Sequence, residues 1–208
     1  MEARFEIKTQ VIGSGRGVRS DVRRTTSEEP DEVQEGRGLK RIVRWTQNGW
    51  DVEPDQRHAD IIVHELQLQE SRAVSTPGES EARHEEEENA KPLSAEMASQ
   101  YRALAARANY PADRTDIMYA VKEICRSMSN PTVGSWKKLK RLGRYLQGQP
   151  RLSTHHVWQA GEEHIQGFSD PDWASCRVTG KPTSGGVVMV GAHFNKGWAR
   201  TQNHVTLS

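Results

Sequence analysis

Apolar positions recur at helical spacing through the middle of the chain. Met97, Tyr101, Leu104, Ala105 and Ala108 share one helix face behind Ser94, a good N-cap, and Pro111 closes that helix. Ile117, Val121, Ile124, Cys125 and Met128 predict a second helix, capped by Thr115 and ended by Asn130-Pro131. Trp136, Leu139, Leu142, Tyr145 and Leu146 predict a third, from Ser135 to Gln147. Three amphipathic helices joined by short breaks predict one small bundle.

On either side of the bundle the pattern changes. Arg41–Trp45 and Trp50–Glu53 predict paired strands around an Asn48-Gly49 turn, ended by Pro54. His58 to Leu68 predicts a short helix, with Ile61, Ile62, His64, Glu65 and Leu68 around its period, and Ser75–Gly78 breaks it. Beyond Pro150, Phe168–Asp172, Val187–Val190 and His193–Arg200 predict a three-stranded meander with one face left bare, which is less than a complete domain. Residues 13–40, rich in Gly, Ser, Thr, Arg and Glu, predict a mobile loop.

Composition narrows the function classes. The 208 residues carry a net charge of +1 and are 34% hydrophobic, with mean hydropathy −0.82. No global field draws the protein to nucleic acid or membrane, and part of the chain is expected to stay unpacked. No stretch approaches the roughly 20 apolar residues of a membrane span. Met1–Gln10 lacks an apolar leader core. The expectation is an intracellular protein, cytoplasmic or nuclear, not secreted and with no membrane partner. Two cysteines, Cys125 and Cys176, fit a reducing compartment, and no C-x-x-C or H-x-x-x-H spacing supports structural zinc.

The charge that cancels overall is unevenly placed. Glu79–Glu96 holds seven acids against Arg83 and Lys91, a net of −5, whereas Lys122–Arg151 holds eight bases against Glu123, a net of +7. Lys137, Lys138, Lys140, Arg141 and Arg144 form the outer face of the third helix. That face reads either as a solvated surface or as a phosphate-tracking one. The acidic linker either stays in solvent or competes for it.

Other motifs are weaker. Ile12-Gly-Ser-Gly-Arg-Gly17 fails the dinucleotide template at Val18, and no Gly-Lys-Ser/Thr follows. His64-Glu65 lacks the second histidine of a zinc helix, because Leu68 stands there. Asp170 and Asp172, beside Trp173, are how a short strand presents carboxylates to a divalent metal. A two-metal site needs about three or four carboxylates, and a pair of aspartates near a tryptophan is more often a turn than a site.

Several blocks occur in one order. They are Tyr101-Arg-Ala-Leu-Ala-Ala-Arg-Ala-Asn-Tyr110, Asp113-Arg-Thr-Asp-Ile117, Ala120-Val-Lys-Glu-Ile124 and Met128-Ser-Asn-Pro-Thr132. Then come Trp136-Lys-Lys-Leu-Lys-Arg-Leu-Gly-Arg-Tyr-Leu146, Ser169-Asp-Pro-Asp-Trp-Ala174 and Thr183-Ser-Gly-Gly186. The series over 101–208 resembles the Pol polyprotein of copia-type LTR retrotransposons, where the end of reverse transcriptase runs into ribonuclease H. Phe5-Glu-Ile-Lys8, the strand at Ile42, the Gly49-Trp50 turn and Val74-Ser-Thr-Pro77 are compatible with the last part of the polymerase palm.

The resemblance implies an α+β fold with a partly disordered N-terminal third. Its parts would be a late palm-like segment over 1–78, an acidic linker over 79–93, a helical thumb or connection over 94–150, and the opening, incomplete ribonuclease-H-like antiparallel meander over 160–208. It implies that Asp170 is the first metal-binding aspartate, holding Mg²⁺ while an activated water attacks RNA, and that Asp172 is the second aspartate of the same block. Pro171 departs from the small residue usual there and removes a backbone donor within a strand. No adjacent Asp pair of the polymerase type occurs in the chain, and the Glu-bearing helix that follows the meander in the family would lie beyond Ser208. The reading that follows is a Pol-derived fragment, catalytically inactive alone, that binds an RNA–DNA hybrid or DNA duplex weakly through the five-base face. The alternative is an excerpt of an active enzyme that cleaves RNA in hybrids with Mg²⁺.

Overall fold

The computed structural model describes residues 11–12, 32–33, 35–79, 86–111, 114–161, 164–172 and 181–202. Phe5–Lys8, the glycine loop from Gly13 to Gly17, Asp113, Trp173, Cys176 and Thr206–Ser208 lie outside the described residues.

The chain is α+β. Two short parallel strands, β1 (Val11–Ile12) and β2 (Glu32–Val33), are followed by β3 (Glu35–Gly38), β4 (Arg41–Thr46) and β5 (Gly49–Pro54). Helices α1 (Arg57–Glu65), α2 (Glu86–Asn89), α3 (Ala95–Ala108), α4 (Met118–Arg126) and α5 (Val133–Gly148) come next. Strands β6 (Thr154–Val157), β7 (Ile165–Asp172), β8 (Thr183–Val190) and β9 (His193–Thr201) complete the described part. One antiparallel sheet runs β3-β4-β5-β6 and a second runs β7-β8-β9.

The helical core is the part that periodicity foresaw most closely. Tyr101, Leu104, Ala105, Ala108, Ile117, Val121, Ile124, Leu139, Leu142 and Leu146 are buried together, joined by Ala59, Ile62, Leu66 and Leu68 from α1 and the turn after it. Met97 is exposed, and Cys125 and Trp136 are only partly buried. Tyr101 buries its ring and donates its hydroxyl to the Ile124 carbonyl at 2.7 Å, and burial pushes its pKa up to about 12. Where α1 meets α5, a side chain on Gly143 would collide with Leu68 at 2.6 Å.

The caps differ in part from the sequence reading. Ser94 caps α3 by accepting from the Met97 amide at 3.3 Å. Thr115 does not cap α4, which starts from Ile117 with no side-chain cap. Thr132, three residues before Ser135, caps α5 in a reciprocal box with it, since each side chain accepts the other's amide hydrogen. Arg114, Asp116 and Tyr145 take over at the start of α4. Arg114, 3% exposed, donates to both Asp116 carboxylate oxygens at 3.1 and 2.6 Å, and Tyr145 donates to Asp116 at 2.8 Å.

The expected mobile loop over 13–40 does not extend to its stated end, because Glu35–Gly38 pair with β4. The β4–β5 hairpin also shifts by one residue. Its loop is Gln47-Asn48, and Gly49 already faces Thr46. Gly49 has φ 155°, and a Cβ there would stand 1.9 Å from the His156 carbonyl oxygen. Only glycine lets β6 come alongside. That strand, missed in the sequence, pairs Val52 with Thr154 and Gly49 with Val157. It draws the chain after the helices back onto the hairpin.

Glu53 fastens this return. It is 1% exposed and accepts from Arg44 at 2.8 Å and from both ends of the Arg151 fork at 3.0–3.2 Å. Burial works against its charge, but these hydrogen bonds outweigh it and hold the carboxyl below its usual range.

The three-stranded meander is present with the expected order. Pro171 sits opposite Ser184 on β7, an edge strand, where a missing donor costs no ladder bond on the outer side. The sheet is not bare throughout: α4 packs on β9 with Met118 against Gly197, and Lys122 donates to Thr183 at the start of β8 at 2.8 Å. Ile165 and Phe168 on β7 are exposed.

Candidate functional site

The two regions singled out in the sequence lie on different elements. The first is α5. Lys137 and Lys140 are exposed there, while Lys138, Arg141 and Arg144 are half-buried. The half-burial has a cause. The segment after α1, from Gln69 to Glu79, lies along α5 as a strap. Arg141 donates to the Thr76 hydroxyl at 2.8 Å and pairs with the Glu79 carboxylate. Arg144 donates to the Arg72 carbonyl at 2.7 Å, and Gln147 donates to the Gln69 carbonyl at 3.4 Å. A side chain on Gly148 would strike Ala73 at 2.6 Å, and Val74 of the strap packs on the core. The five bases therefore share a helix without sharing an environment. Two guanidiniums hold the chain's own backbone and side chains, and Lys137 and Lys140 on the same helix are exposed.

The second region is β7. Asp170 is exposed and faces Gly185 across the strand pair. Phe168, Asp170, Gly185 and Val187 line an open groove of about 540 Å³. The Trp198 ring occupies the space a side chain on Gly186 would need, 2.0 Å from its Cβ. Asp172 faces Thr183 in the register, and its side chain lies outside the described residues. Among the described residues no group of three His, Cys, Asp or Glu side chains converges so as to hold a metal. A hard divalent cation takes six or more oxygens, several of them usually carboxylate. The donor set described around Asp170 does not fit that requirement.

A third cluster escaped the sequence reading, at the junction of the two sheets. The signal was the His155-His156 pair, whose alternation in β6 sends one ring to each side. His155 Nδ1 lies 2.7 Å from Asp51, and His156 meets His193 edge to face with centroids 5.2 Å apart. A buried histidine elsewhere is structural: His58 stacks on Tyr110 at 4.4 Å, and burial, then Arg107 and Arg57, lower its pKa.

An α+β chain with a basic helix and an aspartate-bearing meander is the arrangement the Pol resemblance implies, and comparison supports the resemblance. Over 95 residues, 46% of the chain, it is 33% identical to an uncharacterized mitochondrial protein of Arabidopsis thaliana, covering 39% of that protein. Over 98 residues it is 33% identical to the retrovirus-related Pol polyproteins from transposons RE2 and RE1 of the same plant, covering 6% of each. A secreted RxLR effector protein of Plasmopara viticola is 30% identical over 95 residues, 66% of its length. No family model and no solved structure matches the chain. Over about half its length, then, this chain is a homologue of retrotransposon Pol polyproteins, and it spans only a small part of those relatives. Among the described residues no helix is long and apolar enough to cross a membrane.

Proposed function

We propose that the chain is a retrotransposon-derived Pol segment that holds a nucleic-acid duplex, an RNA–DNA hybrid or DNA, through the lysine edge of α5 and does not itself cleave phosphodiesters. The observation that carries this reading is the pairing of two exposed lysines on α5, Lys137 and Lys140, with an Asp170 that belongs to no described group of three or more potential metal ligands. Homology to Pol polyproteins supports the substrate class. The strap narrows the contact, because Arg141 and Arg144 are engaged within the chain.

The test is a binding titration of the full chain against a labelled hybrid at several salt concentrations. Affinity should fall with salt by about 0.9 logarithmic units per phosphate neutralised, and Lys137→Gln with Lys140→Gln should reduce that slope by about 2. An unchanged slope and affinity would remove the lysines from the contact. A second reading, cleavage of RNA in the hybrid with Mg²⁺, is favoured by one observation: Asp170 is exposed on the first strand of a three-stranded meander. Mg²⁺-dependent loss of the RNA strand, abolished in Asp170→Asn, would replace the first reading with this one.

A further inference from the structure

The two sheets meet through a polar junction whose hydrogen bonds can be fully assigned. His193 Nε2 lies 2.6 Å from the Val157 carbonyl, which can only accept, so that nitrogen carries the proton. Its Nδ1 lies 3.2 Å from the Gln159 amide nitrogen, which can only donate, so Nδ1 must accept. The same amide group donates to the Val190 carbonyl at 3.1 Å, and its oxygen accepts from the Ala192 amide at 2.9 Å. Those two bonds settle which way the Gln159 side chain points. The network is complete for one state of the ring only, the neutral Nε2–H form. A second proton on His193 would set an N–H against the amide hydrogens of Gln159. It would also place a cation beside His156.

We propose that this junction is a proton-operated latch: with His193 neutral the β7–β9 meander is docked on β6, and protonation of the His156–His193 pair releases it. His156 is already disposed against its charged form, by burial first and then by His193 and His155, with Asp51 acting the other way. Among the described residues, the titratable and charged groups acting on His156 are His193 on β9, His155 on β6 and Asp51 on β5, the last two themselves bonded at 2.7 Å. Because His193, which the meander brings, is among the groups that lower the His156 pKa, docking is at full strength above the ordinary imidazole range and weakens as pH falls through it. The Lys122–Thr183 bond and Met118 contact on the far side would then hold the meander as a hinge. The latch does not depend on nucleic-acid binding.

The experiment is amide hydrogen exchange on the full chain between about pH 7.5 and about pH 5, with rates corrected for intrinsic exchange. The Ala192 amide, bonded to Gln159, reports the latch, and the Leu142 amide in α5 reports the core. Protection at Ala192 should fall by about tenfold or more on acidification while Leu142 keeps its protection. His156→Phe keeps the edge-to-face ring contact and should leave the smaller fall that His193 and Gln159 alone produce. Gln159→Glu offers an acceptor to a protonated Nδ1 and should reverse its sign. Protection at Ala192 that ignores pH, falls in parallel with Leu142, or falls equally in Gln159→Glu would overturn the latch.

Discussion

At the scale of single residues, Glu53 carries more than its position in the sequence announces. An acid alternating with apolar residues in a short strand, Trp50-Asp-Val-Glu53, reads as a solvent-facing group, as most carboxylates are. What buries it is the arrival of Arg151 from about a hundred residues downstream, which no local pattern records. Arg44 and Arg151 are themselves 28% and 54% exposed, so solvent discounts the attraction, while Glu53 at 1% would leave them a poorly paired pocket if it were lost. Glu53→Ala should destabilise the chain by about 2–4 kcal/mol in urea unfolding at neutral pH. The sign with pH follows from the depressed carboxyl. Its contribution is complete above the unfolded carboxylate value, about 4.3, and is lost as pH falls through the lower folded value. The gap between wild type and Glu53→Ala should therefore stay constant from neutrality down and close in acid. A gap that widened in acid would contradict the assignment.

At the scale of elements, the sequence was legible wherever one element answers to its own periodicity. The inward faces of α3, α4 and α5 are the ones that spacing names, since a 3.6-residue stripe must find apolar cover. Caps were half legible. Ser94 is the one side chain of capping type between Pro92 and Met97, but Thr132 and Ser135 both can cap, and only backbone geometry decides that the first does so with the second as its partner. The basic stripe of α5 was legible as charge and illegible as environment, because the strap that occupies part of it has no regular structure of its own. This separates two kinds of base on one helix. Arg141→Gln removes the hydrogen bond to Thr76 and the pair with Glu79, and should cost about 1 kcal/mol and expose Gln69–Glu79 to limited proteolysis. Lys140→Gln, on the exposed edge, should stay within about 0.5 kcal/mol of wild type and leave proteolysis unchanged. Equal effects of the two substitutions would mean that the strap is not held by the arginine.

At the scale of the whole molecule, the described architecture is one helical core and two antiparallel sheets, the first of which takes its last strand, β6, from beyond the helices. The chain's least local contacts do the joining. β6 returns to β5, Glu53 to Arg151, and the meander to α4 and β6. None of these could be read from period or propensity, which is why β6 and the histidine junction escaped notice while the meander itself did not. The joints also differ in kind. The helical core is apolar and continuous, whereas the meander is held by Lys122 to Thr183, by Met118 against Gly197, and by the Gln159–His193 network. Among the described residues the two polar joints each supply about 1 kcal/mol and the Met118 contact is a single apolar one, together far less than burial of the core side chains. The meander should therefore detach before the core melts. Lys122→Met keeps the aliphatic stem over Thr183 and deletes its donor. It should lower exchange protection across β8 and β9 while the amides of α3 and α5 keep theirs, and on heating the assigned indole N–H resonance of Trp198 should change ahead of the helical circular dichroism. A single transition in which both signals move together would show the meander and the core to be one cooperative unit, held by more than the joints named here.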